Sequence, residues 1–375
     1  MYNECLQITR QFAFCPNAFR LDMYKGCSFG CQFCRANMDW QKTEDHKTNL
    51  WDTADPNKVT KLFYRALETD CESKDILIEL IRHRVPVHCG GMADPFQDRE
   101  WDLHLTRQII ELSNKYHYPI MFSTKTAYLP QEYLSLLNKD IHAFQVSISG
   151  FRKEYTDKWE CNAKTARERL EFVQMLRNDF NIWCAVRIQP IIDIEECALL
   201  CRYIADDKLC DYVTLEHFNC IYDVFSVSNV LKQLPNLDDY VADAGKFTVR
   251  RDIKIKNINR LIDILHKGNI KVGVGDNDLH YMSDNRCCCG LDLLGGEFSN
   301  YLKYNLTYMC TGEFETDTFI PKCNPRKHIN DQKYGLQIDC KQYVDDYVRL
   351  HGDFLGDSRE RVQKQLFGKS LQKLF

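Results

Sequence analysis

Residues 19–34 read FRLDMYKGCSFGCQFC, and this stretch decides how the rest of the chain is read. Its first six residues have the character of a strand. The loop that follows carries Cys27, Cys31 and Cys34, with three residues between the first pair and two between the second. Gly26 and Gly30 give the loop the backbone freedom that a tight path requires. A structural zinc site takes four protein ligands, often as two CxxC-like pairs, and no fourth cysteine or histidine stands nearby at such spacing. Three thiolates on one loop suit a four-iron cluster with one iron left open, since thiolates are the usual cluster ligands. A zinc loop, or reduced cysteines without a metal, are the blander alternatives.

Downstream, strand-like apolar runs alternate with amphipathic segments as far as residue 218, the pattern of βα units around a parallel sheet. The runs are VPVHCGG (85–91), PIMFSTKT (119–126), HAFQVSIS (142–149), IWCAVRIQPII (182–192) and YVTLEHF (212–218). Between them lie EWDLHLTRQIIELSNKY (100–116) and TARERLEFVQMLRND (165–179), whose apolar residues recur at helical spacing. Six units fit a partial (β/α)6 TIM-type barrel better than a short open sheet, although periodicity alone also admits a doubly wound sheet. In a barrel the cysteine loop, following the first strand, stands at the C-terminal mouth where active sites form. The expected organisation is a core over 1–220, an insertion followed by a last helix and strand over 221–286, and a cysteine-rich extension over 287–375.

Composition sets the class. The chain has 375 residues, 44% hydrophobic and 27% charged, which is ordinary for a globular protein with a large core. No charged n-region with an apolar h-segment opens it and no run approaches a membrane span, so the expectation is a cytoplasmic protein without membrane contact. A net charge of -4 excludes a global positive field for long nucleic acid. Nineteen cysteines, an odd number, favour metal-binding thiolates over disulfides. Cys71, Cys161 and Cys197 read as small buried hydrophobes.

Other polar or flexible residues fall at strand ends. VHCGGMADP closes the second strand with Gly90 and Gly91, where a backbone can approach a ligand without Cβ interference. Lys125, Ser147, Ser149, Arg187 and Gln189 end the next three strands and are expected to face the mouth. Asp94 and Glu216 lie near strand ends too, as substrate-orienting groups or as caps and ion pairs. Whether Cys89 or Cys184 reaches the mouth depends on register, which a one-residue slip reverses.

The cysteine loop resembles that of the radical S-adenosylmethionine enzymes, whose three cysteines have this spacing with an aromatic residue, here Phe33, before the last. The resemblance implies that the open iron is chelated by S-adenosylmethionine and that reductive cleavage yields a 5'-deoxyadenosyl radical. It implies an electron donor such as flavodoxin or ferredoxin. It also makes the Gly90, Gly91, Met92 turn a contact for the methionine amino group; the family usually has an acid where Met92 stands, so the contact would be through backbone. A carboxylate-bearing cofactor calls for a cation, with Arg187 and Lys125 as candidates and Ser147 or Ser149 for the ribose. The order of YKGCSFGCQFC, ADPFQ, STKT with LPQEYLSLL, VSIS, and ERLEFVQMLRND leading to VRIQPII is similar to the spore photoproduct lyase-like branch, over roughly residues 19–218.

The last third adds Cys287, Cys288, Cys289, Cys310, Cys323 and Cys340. A subset of these is the expected ligand set of a second iron–sulfur cluster; structural zinc, or a fold merely rich in cysteine, are the alternatives, with His280 and His328 as substitute ligands. The region 221–255 and the C-terminal third are the candidate lids, and TVRRDIKIKNINR (248–260) offers a basic helix face. The substrate implied by the branch is a nucleobase or nucleotide, and the acidic balance favours a peptide or small metabolite instead. A non-catalytic iron–sulfur or zinc protein is the reading from another class.

Overall fold

The apolar runs become neighbouring strands of one sheet. The computed structural model describes residues 5–8, 17, 19–36, 52–70, 76–221, 230, 232–243, 246–276, 279, 282–285 and 287–300. The strands are β1 (Leu6–Ile8), β2 (Phe19–Leu21), β3 (Val87–Cys89), β4 (Ile120–Thr124), β5 (His142–Ser147), β6 (Trp183–Ile191), β7 (Tyr212–His217), β8 (Asn219–Ile221), β9 (Tyr240–Asp243), β10 (Lys246–Val249) and β11 (Lys271–Val274). The main sheet runs β1-β2-β3-β4-β5-β6-β7-β11, parallel from β2 onward with β1 antiparallel at the edge. The six expected strands are thus β2 to β7, and the later run IKVGVG supplies β11 beside β7. The architecture is a partial TIM-type barrel.

Register gives the sheet one apolar and one polar face. Leu21, Cys89, Phe122, Phe144, Val186, Leu215 and Val272 are buried with Phe63, Ile109, Phe172, Ile204 and Leu261 of the helices. Phe144 meets Phe172 edge-on at 6.2 Å. Each large apolar side chain buried in this way contributes about 1.5–3 kcal/mol, so this face sets the register. The alternate residues His88, Ser123, Lys125, Ser147, Arg187, Gln189 and Glu216 stay half-buried and line the barrel interior. Cys89 and Cys184 therefore point into the helix layer and away from the mouth.

The helices start and stop on local signals. Helix Ala166–Phe180 opens on a capping box of Thr165 and Glu168 and closes on Asn181 at φ 54°. Helix Ile194–Asp207 is capped by Asp193. The periodic run over 100–116, read from sequence as one helix, is two: Glu100–Leu103 and Leu105–Tyr116, broken at His104 with φ 51°. The cause is Glu100, fully buried, whose carboxylate turns back to accept from Thr106 N and Arg107 N and from the hydroxyls of Tyr24 and Tyr133.

After β7 the chain builds a three-stranded antiparallel sheet, β8-β10-β9. Its apolar residues join Phe218, Val230 and Leu234 in a second core with Phe33, Tyr155, Trp159 and Ile192. The stretch read as an insertion thus packs beside the cysteine loop. Segment 287–289 closes the other end of the barrel: Thr214 Oγ1 donates to the Cys288 carbonyl at 2.6 Å and Tyr212 OH to that of Cys287 at 3.0 Å. Gly273 leaves the room, since a Cβ there would stand 2.4 Å from the Cys288 carbonyl oxygen. Among the described residues no helix is long and apolar enough to cross a membrane.

Two buried histidines are expected to make the fold sensitive to acid. Burial lowers His88 and His142 from the ordinary 6.5 to about 3. His142 is locked neutral, its Nδ1 accepting from Asn138 N and its Nε2 facing Ser113 Oγ. The unfolded chain takes up these protons first, so the contribution is present above pH 6.5 and is lost as pH falls toward 3. Melting temperature is expected to fall steadily across that window, and His142→Gln is expected to flatten the slope. An unchanged slope in that variant would reject the assignment.

Candidate functional site

The cysteine loop is held by side chains far away in the sequence. Gln97, fully buried, donates to the Gly26 carbonyl at 3.1 Å and accepts from Ser28 N at 3.0 Å. From the opposite side Asn162 Nδ2 donates to the Ser28 carbonyl at 2.7 Å, Asn162 N to Phe29 O, and Gln32 N to Trp159 O. Gly26 and Gly30 take φ 90° and 60°, the left-handed turn that glycine permits. Gln97 is in turn fixed because Phe96 stacks on Phe144 at 5.8 Å. Asp94 ties the same segment to the end of β4, accepting from Thr124 Oγ1 and from the backbone N–H of Phe96 and Lys125.

The three thiols share one electrostatic neighbourhood. Burial, then the nearby Asp94, pushes Cys27 up to about 12, and burial also raises Cys31 while Lys125 opposes the shift. Cys27 and Cys31 both feel Cys34. Without a metal Cys27 and Cys31 are held protonated, so a metal must displace their protons to bind. Among the described residues no three His, Cys, Asp or Glu side chains converge tightly enough to hold one metal ion. A four-iron cluster spreads its thiolates over different irons, and three soft donors on a partly buried loop fit that demand better than a closed zinc site.

Lys125 stands directly beside this loop. Its Nζ lies 5.7 Å from the centroid of the Phe33 ring and 3.7 Å from Glu160 Oε1. Glu160 is fully buried and bound at 2.6 Å by the equally buried Arg169. Burial pulls Lys125 down, but Cys31 and Glu160 raise it overall, so the ammonium stays charged. Arg187, the other cation expected at the mouth, is occupied: Nη2 donates to Glu216 at 2.9 Å and Nη1 to Gln145 at 3.2 Å. Glu216 is thereby an ion-pair partner.

The Gly-Gly-Met turn is closed by a carboxylate. Asp22, fully buried, accepts from Met92 N at 2.8 Å and Ala93 N at 3.4 Å and pairs with Arg20. The Met92 amide is therefore engaged within the protein, which leaves carbonyl oxygens as the turn's contribution to a cationic group. Ser147 is half-buried, whereas Ser149 is fully buried beside Tyr155 and Glu160. Gln189 lies on the inward row, before a cis peptide to Pro190. Sequence reading missed Gln97, Asp22, Glu160, Arg169 and Asn162; Gln97 alone carried a signal, as the last residue of ADPFQ.

The second cysteine set is only partly described. Cys287 and Cys289 are buried with sulfurs 2.9 Å apart, at the barrel end away from the loop, and Asn17 Nδ2 donates to Cys289 Sγ. Cys288 is half-buried. Cys310, Cys323, Cys340, His280 and His328 lie outside the described residues, as does Cys71. Cys197 is fully buried as expected, but Cys161 is exposed, accepting from Gln32 Nε2 at 3.4 Å, because it follows the helix end that braces the loop.

No protein-family model matches the sequence, and no curated protein matches it. Among solved structures, a tyrosine-to-phenylalanine mutant of spore photoproduct lyase superposes with a TM-score of 0.51 at 13% identity, over 71% of this chain and 78% of that one. The chain has the fold of that lyase, as the sequence resemblance implied. Another mutant of the enzyme, with bound AdoMet and dinucleoside spore photoproduct, gives 0.47 at 14% identity over 70% and 77% of the two chains. SuiB of Streptococcus suis bound to S-adenosylmethionine gives 0.44 at 10% identity over 85% and 67%.

Proposed function

We propose that the chain is a radical S-adenosylmethionine enzyme of the lyase or oxidoreductase type, acting on a nucleobase or nucleotide. The observation that carries it is the clamped loop: three thiols, held from two sides by Gln97 and Asn162, at the mouth of a partial barrel with a polar interior. Cys27, Cys31 and Cys34 would hold a four-iron cluster, which with S-adenosylmethionine would supply the chemistry for taking a hydrogen atom from substrate.

The chain's own residues bind, orient and shield. Lys125 meets the cofactor carboxylate, being charged, beside the loop and less engaged than Arg187. The carbonyls of the Gly90 to Met92 turn would hold its ammonium and Ser147 and Gln189 its ribose, while Phe33 closes the side toward the second core. That core, built from the 219–249 sheet, keeps water from the loop, as radical chemistry requires. A flavodoxin or ferredoxin supplies the electron.

Anaerobic reconstitution with iron and sulfide, then dithionite and S-adenosylmethionine, is expected to release 5'-deoxyadenosine. A loaded cluster that never yields it would make the chain an iron–sulfur binding protein instead.

A further inference from the structure

The Glu160 carboxylate is an anion placed where the proposed chemistry is most sensitive to charge. It is fully buried, as is Arg169, whose Nη2 it binds at 2.6 Å. Arg169 is itself anchored by donating to the Ser147 carbonyl at 2.5 Å, so the carboxylate cannot swing away. Its other oxygen faces Lys125 Nζ at 3.7 Å, and that ammonium lies over Phe33, next to Cys34 in the chain. Glu160 also caps the end of helix Lys153–Trp159, the element whose Trp159 carbonyl and following Asn162 hold the cysteine loop. Backbone and charge are thus fixed together.

Resting on the four-iron reading above, we propose that Glu160 is a positioning residue for the cluster: locked by Arg169, it seats Lys125 over Phe33 and keeps the cluster's reduction potential low. Reduction adds one negative charge to the cluster. A buried carboxylate nearby disfavours that charge, because screening is weak in a low-dielectric interior. A cluster so placed is a stronger reductant toward a bound cofactor. Lys125 and Arg169 work in the opposite sense, and the three charges together set the balance.

The test is a redox titration followed by electron paramagnetic resonance on the full-length chain, reconstituted anaerobically. Glu160→Gln keeps an acceptor for Arg169 and removes the charge; it is expected to favour reduction about tenfold, ~59 mV for one electron. Glu160→Asp, which keeps the charge, is expected to stay close to the parent. An intact cluster with the same potential in Glu160→Gln overturns the inference. Should that variant not take up iron, Lys125→Met decides instead: the potential must fall by a comparable factor, and an unchanged value overturns the inference. A parent chain that takes up no four-iron cluster overturns the parent reading and this inference with it.

Discussion

Serine in place of Cys27, Cys31 or Cys34 is expected to abolish both cluster uptake and 5'-deoxyadenosine formation. In the proposed site each thiol would serve a different corner of the cluster, and a serine hydroxyl, hard and far more weakly acidic, does not replace a thiolate toward iron. The loop should nonetheless keep its shape. Its path is fixed by Gln97 on Gly26 and Ser28, and by Asn162 on Ser28 and Phe29, all through backbone groups and not through the thiols. Circular dichroism and melting temperature of the metal-free variants should therefore match the metal-free parent while iron content collapses. Cys161→Ser supplies the contrast, since among the described residues this exposed thiol meets Gln32 and the Lys158 carbonyl, outside the proposed ligand set, and full iron uptake is expected. Retention of the parent's iron and product by any of the three loop variants would contradict the proposed site.

Gly90→Ala is expected to damage the barrel severely. Gly90 takes φ 102°, and a Cβ there would stand 2.3 Å from the Ser123 carbonyl oxygen and 2.8 Å from Pro95 Cδ. Neither neighbour is the end of a flexible side chain: one is strand β4 backbone, the other a proline in the segment that positions Gln97. Conformational strain and a backbone collision together cost roughly 3 kcal/mol or more. Because β3, β4 and the Gln97 clamp shift together, iron uptake should fall along with stability in denaturant melts. A variant as stable as the parent would mean that this turn is not as rigid as its contacts require.

Much of the fold was legible because its signals are local. Apolar runs such as HAFQVSIS and YVTLEHF announce strands by neighbours two residues apart, and Thr165 with Glu168 announces a helix start three residues apart. His104 shows the limit. The helical period continues through it, and the break comes from Glu100 capping the next turn while it accepts from Tyr24, 76 residues away. Cys161 shows another: residue type favoured burial, but its place after a loop-bracing helix put it at the surface. At the site, the cations at the mouth could be named from strand ends, but not ranked. Arg187 and Lys125 separate only once Glu216 and Glu160 are seen beside them.

The sequence by itself determined the three thiols, their spacing and the places of six strands along the chain, since these depend on residues close together. Tertiary structure alone decided the order of the strands in the sheet, that Cys89 and Cys184 turn away from the mouth, and that Gln97, Asp22, Asn162 and Glu160 converge on the loop and its turn. Those outcomes depend on register and on desolvated charges brought together across 70 or more residues, as Gln97 and Gly26 are. Local spacing carries no record of such meetings.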